Sequence, residues 1–357
     1  MLTVAVMPCL DEAADVRDTI ASLGFLEAAP PVPDAHLVVV DNGSTDGTLD
    51  ILERICARSP SSVHVVTEVE RGYVPPRTRG VREAMRLASI LGVDADETLI
   101  LQVDADTIYR TGYVATMRRA AAAGHGVLLE GSTKPPPGFA ERHPEYVAAQ
   151  RLVDDQVEWL DARDEDEVVL DDKVCGYRLS DYLEWGGLFP EECSTGDAIH
   201  AETTRMFIRA RLRCGARKIR VNPAGAIPSR RRIIEDPSLQ YATAGFPREA
   251  SWIAQRRRAG EVPSDIDTFA RRVVEGRESE AVRLRIAHQL VLFRHLPALV
   301  AVVDGMVNIS DLPIDVQRVL RASAIPSRMQ MSERPGEVIT ALLGLIDSAP
   351  EIFVSIP

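Results

Sequence analysis

The sequence predicts an α/β fold, a mostly parallel sheet flanked by helices, followed by a helical extension. Three observations carry this expectation. The first third alternates short β-branched runs with amphipathic helical stretches, the pattern of β-α-β units. Three of the apolar runs deliver polar residues at their carboxyl ends, where open α/β sheets place their ligands. Beyond the basic triplet Arg230 to Arg232, apolar residues at Val282, Leu284, Ile286, Leu290 and Leu292, and later at Val338, Leu342 and Leu345, recur at helical spacing.

Element by element, Leu2 to Met7 reads as a buried strand, and Asp15 to Leu26 as a helix with Val16, Ile20 and Leu23 on its apolar face. Leu37 to Val40 forms a second strand ending at Asp41, and Thr45 to Ala57 restarts a helix. Val63 to Thr67 gives the third strand, Gly80 to Leu91 the third helix, and Thr98 to Val103 a fourth strand ending at Asp104. The middle of the chain carries a helix from Gly112 to Ala123, a turn at Pro135 to Pro137, an acidic segment from Asp154 to Asp172 and a Trp-Gly-Gly bend at Trp185. These divisions predict a sheet-bearing domain over residues 1–230, in two parts (1–110 and 111–230) of which the second reads as a substrate platform, and a helical extension over 231–357.

At 357 residues the chain has room for about two domains. Its 45% apolar and 26% charged residues fit a soluble globular protein rather than a disordered or fibrous one. The 41 basic residues against 53 acidic ones leave a net charge of −12, a field that repels polyanions, so no nucleic-acid partner is expected. Five scattered cysteines without a C-x-x-C pair read as reduced thiols, and the N-terminus lacks a basic region and a long apolar run, so a cytoplasmic setting is expected. The apolar stretch from Ile286 to Ile309 is broken by His288, Arg294, His295 and Asp304, so no membrane crossing is predicted.

The chemistry concentrates at strand ends. Leu99-Ile-Leu-Gln-Val runs into Asp104-Ala105-Asp106, two carboxylates at i and i+2 that can engage a ribose and a hard divalent cation, which prefers oxygen ligands and substrate phosphates. An acidic turn after a strand has the same spacing. Val38-Val39-Val40-Asp41-Asn42-Gly43-Ser44 breaks from a strand into a polar turn and a helix, whose free N–H groups suit an anion, and whose Ser44 or Thr45 also suits a plain helix cap. A calcium loop of the EF-hand kind fails here, because position 52, where a bidentate Glu would fall, is Leu52.

With Pro8, Asp11 and Glu12 after the first strand, Asp41 to Gly47 after the second and Asp104-Ala105-Asp106 after the fourth, the chain resembles the family 2 glycosyltransferases of the GT-A fold. The resemblance extends through Glu70-Arg71-Gly72, Arg77-Thr78-Arg79-Gly80, Gly186-Gly187-Leu188-Phe189, Gly196-Asp197 and Arg213 to Arg217, covering about residues 1 to 230. The chain departs from the family pattern at Asp11, Glu70 and Thr78, each standing where an Asn is usual, and at Gly196-Asp197-Ala198, where the family often has G-E-D.

The resemblance implies transfer of a sugar, with inversion expected and retention left open, from a nucleoside diphosphate donor to an acceptor nucleophile whose identity stays open, assisted by Mg2+ or Mn2+. It implies Asp106 as principal metal ligand and Asp104 at the ribose or metal. Pro8, Asp11, Glu12, Asp41, Asn42, Gly43, Ser44, Arg79 and Ala105 would line the nucleotide sugar, and Asp197 would deprotonate the acceptor. Glu202 is a rival base, and Asp197 could equally cap a helix. Arg230, in its basic triplet, could clamp a diphosphate or form a solvated turn. His200 could reach metal or acceptor and Trp185 could stack on a sugar, but an ordinary partly buried His and a core Trp fit as well. The competing classes are a nucleotidyltransferase, disfavoured by the acidic, glycine-free loop Pro8 to Glu12, and a non-catalytic nucleotide-sugar-binding protein.

Overall fold

Val38, Val39 and Val40 run without interruption into Asp41, and a continuous apolar run belongs to a strand covered on both faces. In the computed structural model, which describes residues 1–26, 31–58, 62–157, 167–193, 196, 198–246, 248, 251–261, 263 and 265–353, that strand lies inside an eight-stranded sheet. The strands are β1 (Leu2–Cys9), β2 (Ala35–Asp41), β3 (Val63–Thr67), β4 (Thr98–Gln102), β5 (Thr107–Tyr109), β6 (Val127–Thr133), β7 (Cys175–Arg178) and β8 (Arg217–Pro228). Their spatial order is β3-β2-β1-β4-β7-β6-β8-β5.

The first four strands are parallel, β1 pairing with both β2 and β4, and β2 with β3. Cys9 is in register with Asp41, and Asp41 with Thr67, so the polar turns that follow leave the sheet at one edge. Beyond β4 the sheet is mixed: β7 pairs antiparallel with β4 and β6, β8 runs parallel to β6, and β5 pairs antiparallel with β8.

Alternation along each strand divides the buried residues between two cores. Ala5, Met7, Cys9, Leu37, Val39, Leu99 and Leu101 pack with Val16, Ile20, Leu52 and Ile55 of the helices Val16–Ser22 and Thr48–Arg58. Val4, Val6, Val38, Val40 and Ile100 face the other way, against the helix Val74–Leu91. A Cβ at Gly80 would lie 2.3 Å from Val6 Cγ1 and 3.1 Å from Val40 Cγ2, so only glycine permits this helix to approach so closely. The helix starts six residues before the point predicted from sequence, because Pro75 and Pro76 occupy its first turn, where no N–H partner is required. The first helix is shorter than expected, ending at Ser22 ahead of Gly24, which sits at φ +87°.

The chain forms two compact units. The sheet unit comprises Met1–Pro135, Leu170–Pro190 and Glu202–Ser229. The second unit comprises Pro136–Val169, Glu191–Ala201 and Arg230–Pro357, so two excursions from within the first 230 residues join the C-terminal helices. Inside it, Tyr146, Ala149 and Val153 of the helix Pro144–Val157 pack with Tyr241, Phe269, Ala270 and Val273, and the Tyr241 hydroxyl donates to Ala149 O at 2.8 Å. Glu278, almost fully buried, ties together Arg256 and, at 2.8 Å, Arg272. The helix Ser279–Val303 has the length and apolarity of a membrane span, and 61% of its most apolar stretch is buried within the protein.

Candidate active site

The turns after β1 and β2 interlock. The N–H groups of Asp11, Glu12 and Ala13 donate to Ser44 Oγ (3.0 Å), Thr48 Oγ1 (2.9 Å) and Asp46 Oδ2 (3.0 Å). Thr45 N–H donates back to Asp11 Oδ1 at 2.6 Å. Asp11 holds φ +54°, in the left-handed region that Asp and Asn tolerate better than most residues. Pro8 lies within β1, in register with Val40.

Asp41 is buried at the end of β2 and accepts from Gly43 N–H (3.1 Å) and Ser44 N–H (3.3 Å), which closes the turn around its carboxylate. A carboxylate has about four acceptor positions, so this leaves capacity for a ligand. Asn42, also buried, donates to the carbonyls of Glu68 (2.9 Å) and Glu70 (2.7 Å), and the guanidinium of Arg71 donates to Gly43 O at 2.7 Å. The turn and the loop from Glu68 to Gly72 are thereby held as one piece.

Beside this frame stands the end of β4. Asp104 N–H donates to the Tyr109 hydroxyl (2.9 Å), which donates in turn to Lys173 O (2.8 Å). Asp106 is half-buried, its carbonyl accepting from Ser229 N–H at 3.1 Å, while Ala105 O accepts from Thr19 Oγ1 at 2.8 Å. Asp104 and Asp106 are thus fixed by their backbones from several sides.

Sequence reasoning missed the residue around which these groups gather. Arg77 is buried, and its Nη2 lies 3.0 Å from Asp104 Oδ1 and 2.7 Å from Asp172 Oδ2. Its Nε donates to Gln102 Oε1 (3.1 Å) and lies 3.4 Å from Glu202 Oε1. Gln102 also accepts from Thr203 Oγ1 (3.2 Å) and donates to the Tyr177 hydroxyl (2.9 Å). Arg79, taken from the same Arg77 to Gly80 segment, is instead partly exposed, 3.9 Å from Glu83 on its own helix. A usable signal existed: Arg77 is three residues before Gly80 and shares its sheet-facing side, whereas Arg79 is one residue away and points elsewhere.

Burial pushes the Asp104 carboxyl up to about 6; Arg77 and Lys173 pull it down, while Asp172 and Asp106 push it further up. Burial likewise raises Glu202 against the pull of Arg77. Burial opposes the charge on Arg77 itself, but Asp172, Asp104 and Glu202 outweigh it and keep the guanidinium cationic.

Among the described residues, no three or more His, Cys, Asp or Glu side chains converge to hold a metal by themselves. Hard divalent cations bound with nucleotides often take only one or two protein carboxylates, the substrate phosphates and water completing the shell. The donor set at the end of β4, two all-oxygen carboxylates with Asp104 shared with Arg77, fits that kind of site and not an all-protein cage.

Other residues singled out from the sequence lie elsewhere. Asp197 is outside the described residues. Arg230 belongs to the second unit, where it precedes the helix Arg231–Glu235. His200, partly buried, is in that unit too. Trp185 is fully buried, its ring 6.2 Å from that of Tyr177, which makes it a core residue. Next to it, the buried Arg209 donates to the carbonyls of Trp185 (2.7 Å) and Gly187 and stacks 4.3 Å over the Phe189 ring, fixing the Trp-Gly-Gly bend.

A parallel half-sheet whose carboxyl edge presents interlocked polar turns and a D-x-D strand end is the architecture of a GT-A glycosyltransferase. Residues 4–146 match the model described as glycosyl transferase family 2, so this part of the chain is a glycosyltransferase domain. Among solved structures, mannosyltransferase PcManGT from Pyrobaculum calidifontis, in complex with GDP-Man and Mn2+, is similar at 14% identity and a TM-score of 0.50, over 97% of this chain and 87% of its own. S. aureus TarS 1-349 is similar at 15% identity and a TM-score of 0.46, over 98% and 92%. Glucosyl-3-phosphoglycerate synthase from Mycobacterium tuberculosis, with Mn2+ and UDP, is similar at 18% identity and a TM-score of 0.37, over 64% and 72%. No curated protein matches the chain.

Proposed function

We propose that this glycosyltransferase moves a sugar from a nucleoside diphosphate sugar to an acceptor hydroxyl or other nucleophile, with inversion, in a reaction that depends on Mg2+ or Mn2+. The observation that carries the reading is the placement of Asp104-Ala105-Asp106 at the end of a buried strand, beside the locked turns of Asp11 and Asp41. PcManGT, which shares the fold, was solved with GDP-Man and Mn2+, and this supports a donor of the same chemical kind.

In this reading the remaining acceptor capacity of Asp41 takes hydrogen bonds from the base or ribose, and Asp104 takes a ribose hydroxyl or shares the metal. Asp106 is the principal metal ligand. When bound, the cation supplies positive charge that offsets the charge developing on the leaving diphosphate. Arg77 keeps Asp104 ionised and aimed. Asp197 accepts the acceptor proton as general base; Glu202, its rival, is buried and held by Arg77, which suits a supporting carboxylate better. Arg230 binds the diphosphate product. A cytoplasmic setting accompanies this reading, supported by five cysteines that form no disulfide.

Calorimetric titration with UDP- and GDP-sugars tests it. Binding should require Mn2+ or Mg2+ and be lost in Asp106→Ala; equal binding in chelator would overturn metal dependence. Asp197→Asn should retain donor affinity and lose transfer, because a base acts in the transition state.

A further inference from the structure

His36 on β2 and His64 on β3 come from adjacent parallel strands, where Val38 is in register with His64. Both rings therefore lie on one sheet face, diagonally opposed, with His36 Nδ1 only 3.0 Å from His64 Nε2. The ring centroids are 5.3 Å apart and the planes are inclined by 31°. Both side chains are half-buried, enough to be fixed and open enough to be reached. Neither belongs to the donor turns: His36 precedes Asp41 by five residues, about 16 Å along an extended strand.

We propose that this pair is a second metal site, a two-imidazole chelate for a late first-row divalent cation that favours 90° coordination, Cu2+ or Ni2+. Metal–imidazole bonds are about 2.0–2.1 Å, so two cis ligands at a right angle are about 2.8–3.0 Å apart and two tetrahedral ligands about 3.3–3.4 Å. The observed separation matches the right angle, the geometry of tetragonal Cu2+ and Ni2+ sites. Without an ion, the two nitrogens share one N–H in a hydrogen bond. On loading, the donor ring shifts its proton to its far nitrogen, both facing nitrogens present lone pairs, and no net proton leaves the pair. Rotation about the soft ring torsions, by tens of degrees, brings both lone pairs to one point; water fills the remaining positions. Burial holds both rings below their ordinary titration range, so protons compete little for these lone pairs at neutral pH. A bound ion ties the edge strand β3 to β2 and stabilises the folded chain by an amount that grows with the logarithm of its concentration above the dissociation constant.

The test is titration of the full chain with Cu2+, read by electron paramagnetic resonance and thermal unfolding. One equivalent should give a tetragonal signal with hyperfine splitting from two nitrogens and raise the melting temperature. Both effects should disappear in His36→Asn and in His64→Asn, persist in His125→Asn, and leave binding of nucleotide sugar unchanged. A two-nitrogen signal that survives both variants, or a wild-type signal without coupled nitrogen, overturns the site. Melting of the metal-free variants separates loss of the ligand from loss of the fold.

Discussion

Arg77 Nη2 lies 3.0 Å from Asp104 Oδ1, so one of the two D-x-D carboxylates is paired with a buried cation of the chain itself. That guanidinium also serves Asp172 and Glu202 and is the reason three carboxylates can be gathered under the strand ends. Removing one partner of a buried ion pair typically costs about 3–5 kcal/mol because the other charge is stranded. Arg77→Met should therefore destabilise the sheet unit by about that amount in urea unfolding. Arg77→Lys should not restore it, since a point charge cannot replace the fork that reaches Gln102, Asp104 and Asp172 together. Wild-type stability in Arg77→Met would refute the role.

Gly80→Ala should be destabilising although alanine favours helix. The added methyl would meet Val6 Cγ1 at 2.3 Å, and overpacking of this kind costs about 1–3 kcal/mol. Melting temperature checks it.

Asn42→Ala should release the loop from Glu68 to Gly72 by stranding the carbonyls of Glu68 and Glu70. Hydrogen exchange at Gly72, whose N–H faces Asn42 Oδ1 at 3.4 Å, should accelerate, and global stability should fall by about 1–3 kcal/mol.

The second unit should be acid-labile. Burial, followed by Arg248 for His288 and Arg294 for His295, lowers both rings to about 4 from 6.5. A folded state that keeps these rings neutral binds fewer protons than the unfolded chain between those values. Their contribution is complete above pH 6.5 and is lost as pH falls from about 6.5 to about 4, on the order of 3 kcal/mol for each ring. Thermal unfolding from pH 7.5 to 4.5 should show a steep loss, flattened in His288→Leu and His295→Leu.

The parallel half of the fold was legible because its signals are local. Val38 to Asp41 and Leu99 to Asp104 each carry in one short segment both the apolar run and the carboxylate that ends it. The strands β5 and β7, three and four residues long, carry no such pattern, and their antiparallel partners are chosen by distant packing. At the site, Asp11 and Asp41 were readable as turn residues. Asp172 was merged into an acidic segment, because its partner Arg77 is 95 residues away in sequence.

By itself the sequence determined the α/β class, the strand ends that carry the acidic turns and the helical character of the C-terminal region, since strand and helix periods and turn residues act over a few positions. Tertiary structure alone decided which arginine serves the site. Gly80 lets the helix Val74–Leu91 descend onto Val6 and Val40, and that approach buries Arg77 and leaves Arg79 partly exposed. The two lie two residues apart in one basic segment, and only the packing of the helix against the sheet tells them apart.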